Sequence, residues 1–306
     1  MSEFVSGYCA IVGRPNAGKS TLLNRLMGLK LAIATHKPQT TRDRILGVLT
    51  RPEGQVALVD TPGLHRAEGG INRHMVRTAE QALGDADVVL WMVEVETGDV
   101  REPSAGQHKI HETIIASGRP WVLALNKVDK LADRSRVLPW IQKWQDTFNP
   151  PALVPMSAQE GDNVEALMTE VMSRLPEGPM LFDEDTITDR SERFLTAEII
   201  REKAILETQE ELPYSIAVTI DTFDESEREN PDDPVVTIQA TVHVERDGQK
   251  RIVVGTRGKV IRKIGMRSRK DLRRMLGCRV YLELFVRVTK KWTHLQHQLR
   301  EFGYDQ

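Results

Sequence analysis

Cysteine is scarce in this chain. Cys9 and Cys278 are its two thiols in 306 residues, too few for a disulfide framework. Each lies in an apolar run (YCAIVG, LGCRVYLEL), as expected of buried, reduced thiols in a cytoplasmic protein. Aromatic residues make up 5%. No stretch reaches the ~18–20 consecutive apolar residues of a membrane span, and the most apolar one, residues 88–95, already carries Glu94. A basic segment followed by a long apolar core is missing from the first residues, so a signal peptide is not expected. The pairs His108/His111 and His294/His297 have no Cys or carboxylate at metal-ligand spacing, so they read as surface histidines.

Net charge also looks uninformative, at −2 from 42 basic and 44 acidic residues. Its distribution is not. Residues 183–233 hold 17 acids against 5 bases, and residues 248–300 hold 16 bases against 2 acids. A segment of +14 in about fifty residues makes a field whose natural counterpart is polyanionic.

The length suggests two domains. The strongest punctuation is Leu175-Pro176-Glu177-Gly178-Pro179, where Pro and Gly end a helix and favour extended backbone. It divides the chain into residues 1–175, an acidic linker at 176–190, and residues 191–306. Before the linker, short apolar runs of buried-strand type (8–12, 56–59, 88–95, 121–125, 153–156) alternate with helix-length segments (19–27, 71–83, 104–117, 134–148, 164–175). Such alternation predicts an α/β fold with a mostly parallel sheet. The exception is an antiparallel hairpin, 44–50 with 55–60, around a Pro-Glu-Gly turn. After the linker the order becomes helix (192–212), strand (214–223), strand (235–244), broken helix (250–277) and strand (279–289), a smaller α+β domain.

Gly13-Arg14-Pro15-Asn16-Ala17-Gly18-Lys19-Ser20 fits G-x-x-x-x-G-K-[ST] between an apolar strand and a helix, the context this phosphate loop requires. Its glycines let successive N–H groups face phosphate oxygens, and the helix N-terminus adds its positive end. Lys19 places a cation on the β- and γ-phosphates, Ser20 offers a hydroxyl to Mg²⁺, and Thr21 completes the expected nucleotide-binding run. Asp60-Thr61-Pro62-Gly63, with Leu64 after it, follows the neighbouring strand, where a Mg²⁺-binding carboxylate belongs. Asn126-Lys127-Val128-Asp129 follows another strand. One carboxylate, Asp129, can accept from both guanine donors, N1–H and the 2-amino group, which adenine lacks. Lys127 can cover the base, Asn126 can tie the loop to the phosphate loop, and Ser157-Ala158 can add a backbone N–H to the guanine carbonyl.

In the second domain, Gly255-Thr256-Arg257-Gly258 joins two helical segments in a helix–strand–strand–helix–helix–strand order. G-x-x-G between helices is the backbone-clamping loop of KH domains, and Lys259, Arg262 and Lys263 extend its cationic surface. The apolar positions Ile252, Val253, Val260, Ile261 and Ile264 default to core, with exposure needed for base contact. No paired aromatic motif suggests base stacking. The tryptophans at 91, 121, 140 and 144 read as packing residues, whereas Trp292, beside Lys290-Lys291, is a candidate RNA contact.

The ordered set GRPNAGKS, QTTRD, DTPGL, NKVD and SAQEG resembles the Ras-like GTPases of the TrmE–Era–EngA branch. LPEGP, RFLTAEIIREKAI and the KH-like region extend the likeness over nearly the whole chain, toward members of that branch that act in ribosome assembly through a type II KH domain. The resemblance implies switch I at Thr40 and Thr41, with Thr41 preferred for Mg²⁺ and γ-phosphate and Thr40 second. It implies potassium near Asn16, a single-stranded 16S ribosomal RNA 3′ end as ligand, a role in small-subunit (30S) biogenesis, and a monomer. It also raises peripheral contact with the inner face of the cell membrane. Leu64 stands where many GTPases carry a water-orienting glutamine, so slow intrinsic hydrolysis is expected. No catalytic base is assigned, and Arg14 and Arg42 are either phosphate-charge stabilisers or surface residues. The competing readings are a passive RNA-binding assembly protein, a membrane-associated GTPase whose basic segment meets anionic lipid, and an ATP-dependent P-loop enzyme.

Overall fold

The structure is a computed structural model that describes residues 4–35, 40–63, 70–98, 100–208, 212 and 215–304, with backbone alone at 70–74. The chain forms two compact units. The first runs to Asp189; the second begins at Arg190 and also takes in Thr35, Thr40 and residues 70–74, the start of a helix whose remainder lies in the first.

The first unit is built from β1 (Val5–Gly13), α1 (Lys19–Met27), β2 (Ile45–Arg51), β3 (Gly54–Asp60), α2 (Gly70–Asp85), β4 (Val88–Glu94), α3 (Ala105–Ser117), β5 (Trp121–Asn126), α4 (Val137–Phe148), β6 (Leu153–Pro155) and α5 (Val164–Met172). Its strands form one six-stranded sheet in the order β2-β3-β1-β4-β5-β6. All neighbours pair in parallel except β2, which pairs antiparallel with β3. The parallel strands are continuous apolar runs because helices cover both faces; in β4, Val88 through Val93 are all buried. On one face, α4 presents Trp140, Trp144 and Phe148 at helical spacing to Trp91 and Trp121. His111 joins this aromatic cluster, its ring stacked 5.8 Å from that of Trp91, so it is not the surface histidine expected from sequence. Cys9 is fully buried, and burial pushes its thiol up to about 12, which leaves it unreactive; Cys278 is half-buried.

The segment after α5 is not a free linker. Ser6 N–H donates to Pro176 O and Gly178 N–H to Phe4 O. The fully buried Gln55 accepts from the N–H groups of Leu181 and Phe182, each at 2.9 Å, and donates back to Phe182 O. Val48 N–H donates to Ile187 O and Thr188 Oγ1 to Leu46 O, fastening the end of the segment along β2.

The second unit runs α6 (Glu192–Glu207), β7 (Ala217–Asp224), β8 (Val235–Val244), α7 (Asp247–Val254), α8 (Lys259–Leu276), β9 (Arg279–Val288) and α9 (Gln296–Glu301). The first helix ends at Glu207, short of residue 212, and α9 was not foreseen. The sheet order is β7-β8-β9, with β7 antiparallel and β9 parallel to β8. In β8, alternate residues Val236, Ile238, Ala240, Val242 and Val244 enter the core, the period-2 signature of a sheet covered on one face. The helix α8 completes that core with Ile264, Leu272 and Leu276 along one stripe.

Candidate functional site

The loops after β1, β3, β5 and β6 share one edge of the sheet because these strands are parallel, the edge where open α/β sheets bind ligands. Each of the four motifs read from the sequence sits in one of these loops. In the first, Gly18 is left-handed (φ 103°), and a Cβ there would come 2.2 Å from Asn126 Nδ2. Only glycine permits both the turn and that approach. Asn126 uses it: Nδ2 donates to Ala17 O at 2.7 Å, and Oδ1 accepts from Ala158 N–H at 2.9 Å. One buried carboxamide thus ties three of the loops together, as its position suggested. Asp129 Oδ1 accepts from Ser157 Oγ at 2.5 Å. Ser157 in turn accepts from Glu160 N–H, so a short chain of bonds orients the carboxylate. Lys127, left-handed at φ 67°, pairs with Glu94.

Next to the phosphate loop, Lys19 Nζ donates to Gly13 O and Arg14 O at 3.3 and 3.2 Å. Ser20 Oγ donates to Asp60 Oδ2 at 2.6 Å and lies 3.0 Å from Thr41 Oγ1, itself 3.5 Å from Asp60 Oδ2. Burial pushes the Asp60 carboxyl up, opposed by Lys19, Ser20 and Thr41; burial likewise pulls the Lys19 ammonium down, opposed by Asp60. The second carboxylate oxygen, Asp60 Oδ1, is buried with no hydrogen-bond partner among the described residues. A buried, unsatisfied carboxylate oxygen beside two hydroxyls is a hard-oxygen donor set, suited to Mg²⁺. The neighbouring Thr40 points elsewhere: its hydroxyl lies 2.6 Å from that of Thr35.

The remaining positions differ in kind. Thr61 Oγ1 donates to Ile11 O at 2.8 Å and is fully buried, so it pins the turn to β1. Gly63 lies against Pro15, and Leu64 falls outside the described residues. Arg14 and Asn16 are exposed. Arg42 is buried and so is not a surface arginine.

In the second unit, the loop between α7 and α8 holds Gly255 at φ 70° and Gly258 at φ 72°, with Arg257 also left-handed. Thr256, Arg257, Lys259, Arg262 and Lys263 are all exposed. Beneath them lies a residue that the sequence did not reveal. Glu207, at the end of α6, is nearly buried and pairs with Lys263 at 2.7 Å and with Arg267. Among the five apolar candidates, Val253 and Ile264 are fully buried core, Val260 and Ile261 pack against it, and Ile252 is 39% exposed. Trp292 is not an RNA contact: it is fully buried, donates to Ser215 O, and packs on Phe302 and Tyr304. An aromatic pair does exist, Tyr281 and Phe285, exposed on one face of β9. Their i,i+4 spacing in a strand was the available signal.

The phosphate loop, the buried aspartate and the guanine-type N-K-V-D loop, followed by a G-x-x-G helix pair, define a P-loop GTPase carrying a KH domain. Family models agree: a 50S ribosome-binding GTPase model matches residues 8–127 and a KH domain model matches residues 211–293. The chain is similar to GTPase Era of Syntrophus aciditrophicus (46% identity; 99% of this chain, 96% of the relative). It is similar also to GTPase Era of Geobacter sp. strain M21 (45%; all of both chains). A crystal structure of Era in complex with MgGDPNP and nucleotides 1506–1542 of 16S ribosomal RNA superposes with a TM-score of 0.92 at 38% identity, covering 99% of this chain and all of that one. The chain belongs to the Era family of GTPases.

Proposed function

We propose that this protein is a GTP-hydrolysing switch that binds the 3′ end of 16S ribosomal RNA through its KH unit and assists small-subunit biogenesis. The observation that carries the GTP half is the buried, unpartnered Asp60 Oδ1 beside Ser20 and Thr41. These three residues would hold Mg²⁺, which when bound would supply positive charge to the phosphates. Gly13 through Thr21 cradle the phosphates, with Lys19 turning from the Gly13 and Arg14 carbonyls to the anion. Thr61, Pro62 and Gly63 shape the turn beside the γ-phosphate. Asp129 selects guanine, Lys127 covers the base, Asn126 holds the loops in register, and Ser157 and Ala158 close the base pocket. Potassium at Asn16 is the further cation of this reading.

Gly255, Thr256, Arg257, Gly258, Lys259, Arg262 and Lys263 form the RNA clamp. The relative solved with 16S RNA supports the ligand class, as do the exposure and charge of this loop. The protein acts as a cytoplasmic monomer. Its basic surface also attracts anionic membrane lipid, which RNA should displace in a flotation assay.

The test is GTP turnover with and without a 16S 3′-end fragment, in potassium and in sodium. Asp129→Asn should abolish the preference for GTP over other nucleotides. Replacing Thr256 and Arg257 by Asp should weaken RNA binding while sparing GTP binding. A chain that turns over no GTP under any of these conditions would instead be a passive RNA-binding protein.

A further inference from the structure

The loop after β6 carries three successive backbone N–H groups, on Ser157, Ala158 and Gln159. Two of them are taken within the fold. Ser157 N–H donates to Asp162 O at 3.1 Å, and Ala158 N–H donates to Asn126 Oδ1 at 2.9 Å. The Gln159 N–H has no acceptor among the described residues. The sequence pattern pointed to Ser157-Ala158 for the donor to the guanine carbonyl; the hydrogen bonds move that donor one residue on.

The Gln159 N–H shares its peptide bond with Ala158 O, and that oxygen is held from α1. Arg25 Nε donates to Ala158 O at 2.7 Å, and Arg25 Nη2 donates to Gln159 O. One planar fork thus spans two successive carbonyls. A peptide unit is rigid, and in the trans form its C=O and N–H point in opposite directions. Fixing Ala158 O toward Arg25 therefore fixes the Gln159 N–H on the side away from it. The rest of the turn is shaped around the same guanidinium. Gly161 is left-handed at φ 93°, its N–H donates to Ser157 O at 2.8 Å, and a Cβ on it would come 2.8 Å from Arg25 Nη1. Glycine supplies the turn and leaves the guanidinium its place. Arg25 lies in the last turn of α1, the helix that opens at the phosphate loop. It belongs with residues 157–161 to the first unit.

We infer that Arg25 is a positioning residue that aims the Gln159 N–H at the carbonyl oxygen of guanine. The inference rests on the reading of this loop as part of the base pocket given above. Asp129 reads the edge with N1–H and the 2-amino group. The C6 oxygen is the remaining mark of guanine, and a fixed N–H accepts it while opposing the amino group that adenine carries there. The helix α1 then serves both ends of the nucleotide: its first turn meets the phosphates, and Arg25 in its last turn sets the donor for the base.

The test is equilibrium binding of GDP, 6-thio-GDP and inosine diphosphate to the full chain. 6-Thio-GDP keeps both donors to Asp129 but puts a weakly accepting sulfur at C6. Inosine diphosphate keeps the C6 oxygen and lacks the 2-amino group. The parent should prefer GDP over 6-thio-GDP by about fivefold, the scale of one neutral hydrogen bond, and should prefer GDP over inosine diphosphate through Asp129. Arg25 is exposed, a setting in which replacement costs the fold little. Arg25→Met should lose most of the first preference and keep the second. Arg25→Lys, which retains one cationic donor, should recover part of the first. A first preference at the parental level in Arg25→Met, with all three nucleotides weakened in equal proportion or not at all, overturns the role of Arg25 and keeps the loop as part of the base pocket. No first preference in the parent overturns the loop's reading of the C6 oxygen, and the role of Arg25 with it.

Discussion

Asn126→Ala tests the architecture of the nucleotide site at a single carboxamide. The side chain is 2% exposed and makes two bonds of good geometry, to Ala17 O and from Ala158 N–H. Alanine removes both and leaves a backbone carbonyl and a backbone N–H buried without partners. Each costs about 1–3 kcal/mol, so the first unit should lose about 2–6 kcal/mol. For a domain of this size each kcal/mol lowers Tm by ~2–4 °C, which puts the expected fall near 10 °C. The assay is thermal unfolding without nucleotide, followed by GDP and GTP titrations. Asn126→Asp separates the two bonds, since it keeps an acceptor for Ala158 N–H and loses the donor to Ala17 O. Affinity for both nucleotides should fall in Asn126→Ala, because the phosphate loop and the base-reading loop lose their shared tie. A Tm within ~2 °C of the parent would refute the reasoning, because two stranded buried groups cannot cost so little.

Two further outcomes concern the second unit. His243 is held by burial and by Arg287 at about 4, below its ordinary 6.5, and its ring nitrogens face the hydroxyls of Thr219 and Thr289. Between these values the unfolded chain carries the extra proton, so stability should fall as pH drops from 6.5 toward 4 and level off below; the full amount is at most ~3 kcal/mol. His243→Gln should flatten that part of a pH–stability curve measured by urea unfolding, and an unchanged slope would dismiss the role of this ring. Gly255→Ala places a Cβ 2.4 Å from Val260 Cγ2 at φ 70°, a strain of ~1–3 kcal/mol. RNA affinity measured by fluorescence anisotropy should drop while RNA-independent GTP turnover stays at the parental rate; unaltered RNA affinity would mean that the loop does not need this glycine.

The nucleotide motifs were legible because their chemistry sits in short, contiguous segments at strand ends. The order of elements in the second unit was equally plain from its periodicity. What escaped was burial of polar groups, which is a tertiary property. Arg201 and Glu198 look like ordinary i,i+3 partners on a helix surface, and their sequence context gives no sign that both lie in the interior beside Thr40. Trp292 follows two lysines and reads as exposed, yet α9 folds back to cover it with Leu299 and Tyr304. Residues 208–212 continue the helical pattern of α6, but Glu207 closes that helix. Between the adjacent Thr40 and Thr41, the family resemblance and not the residues themselves preferred Thr41. The direction of their hydroxyls separates them.

The fastened segment at 176–189 carries a consequence for the edge of the sheet. In a sheet ordered β2-β3-β1-β4-β5-β6, β2 is an edge strand, and edges with open N–H and C=O groups recruit strands from other molecules. Here Val48 N–H and Leu46 O are taken by Ile187 and Thr188. The residues that take them lie in a run dense in aspartate and glutamate: Asp183, Glu184, Asp185 and Asp189. The strap therefore occupies two backbone groups of that edge and brings acidic side chains with it. A stretch that sequence alone presents as a spacer is, in the fold, a strap over an edge strand.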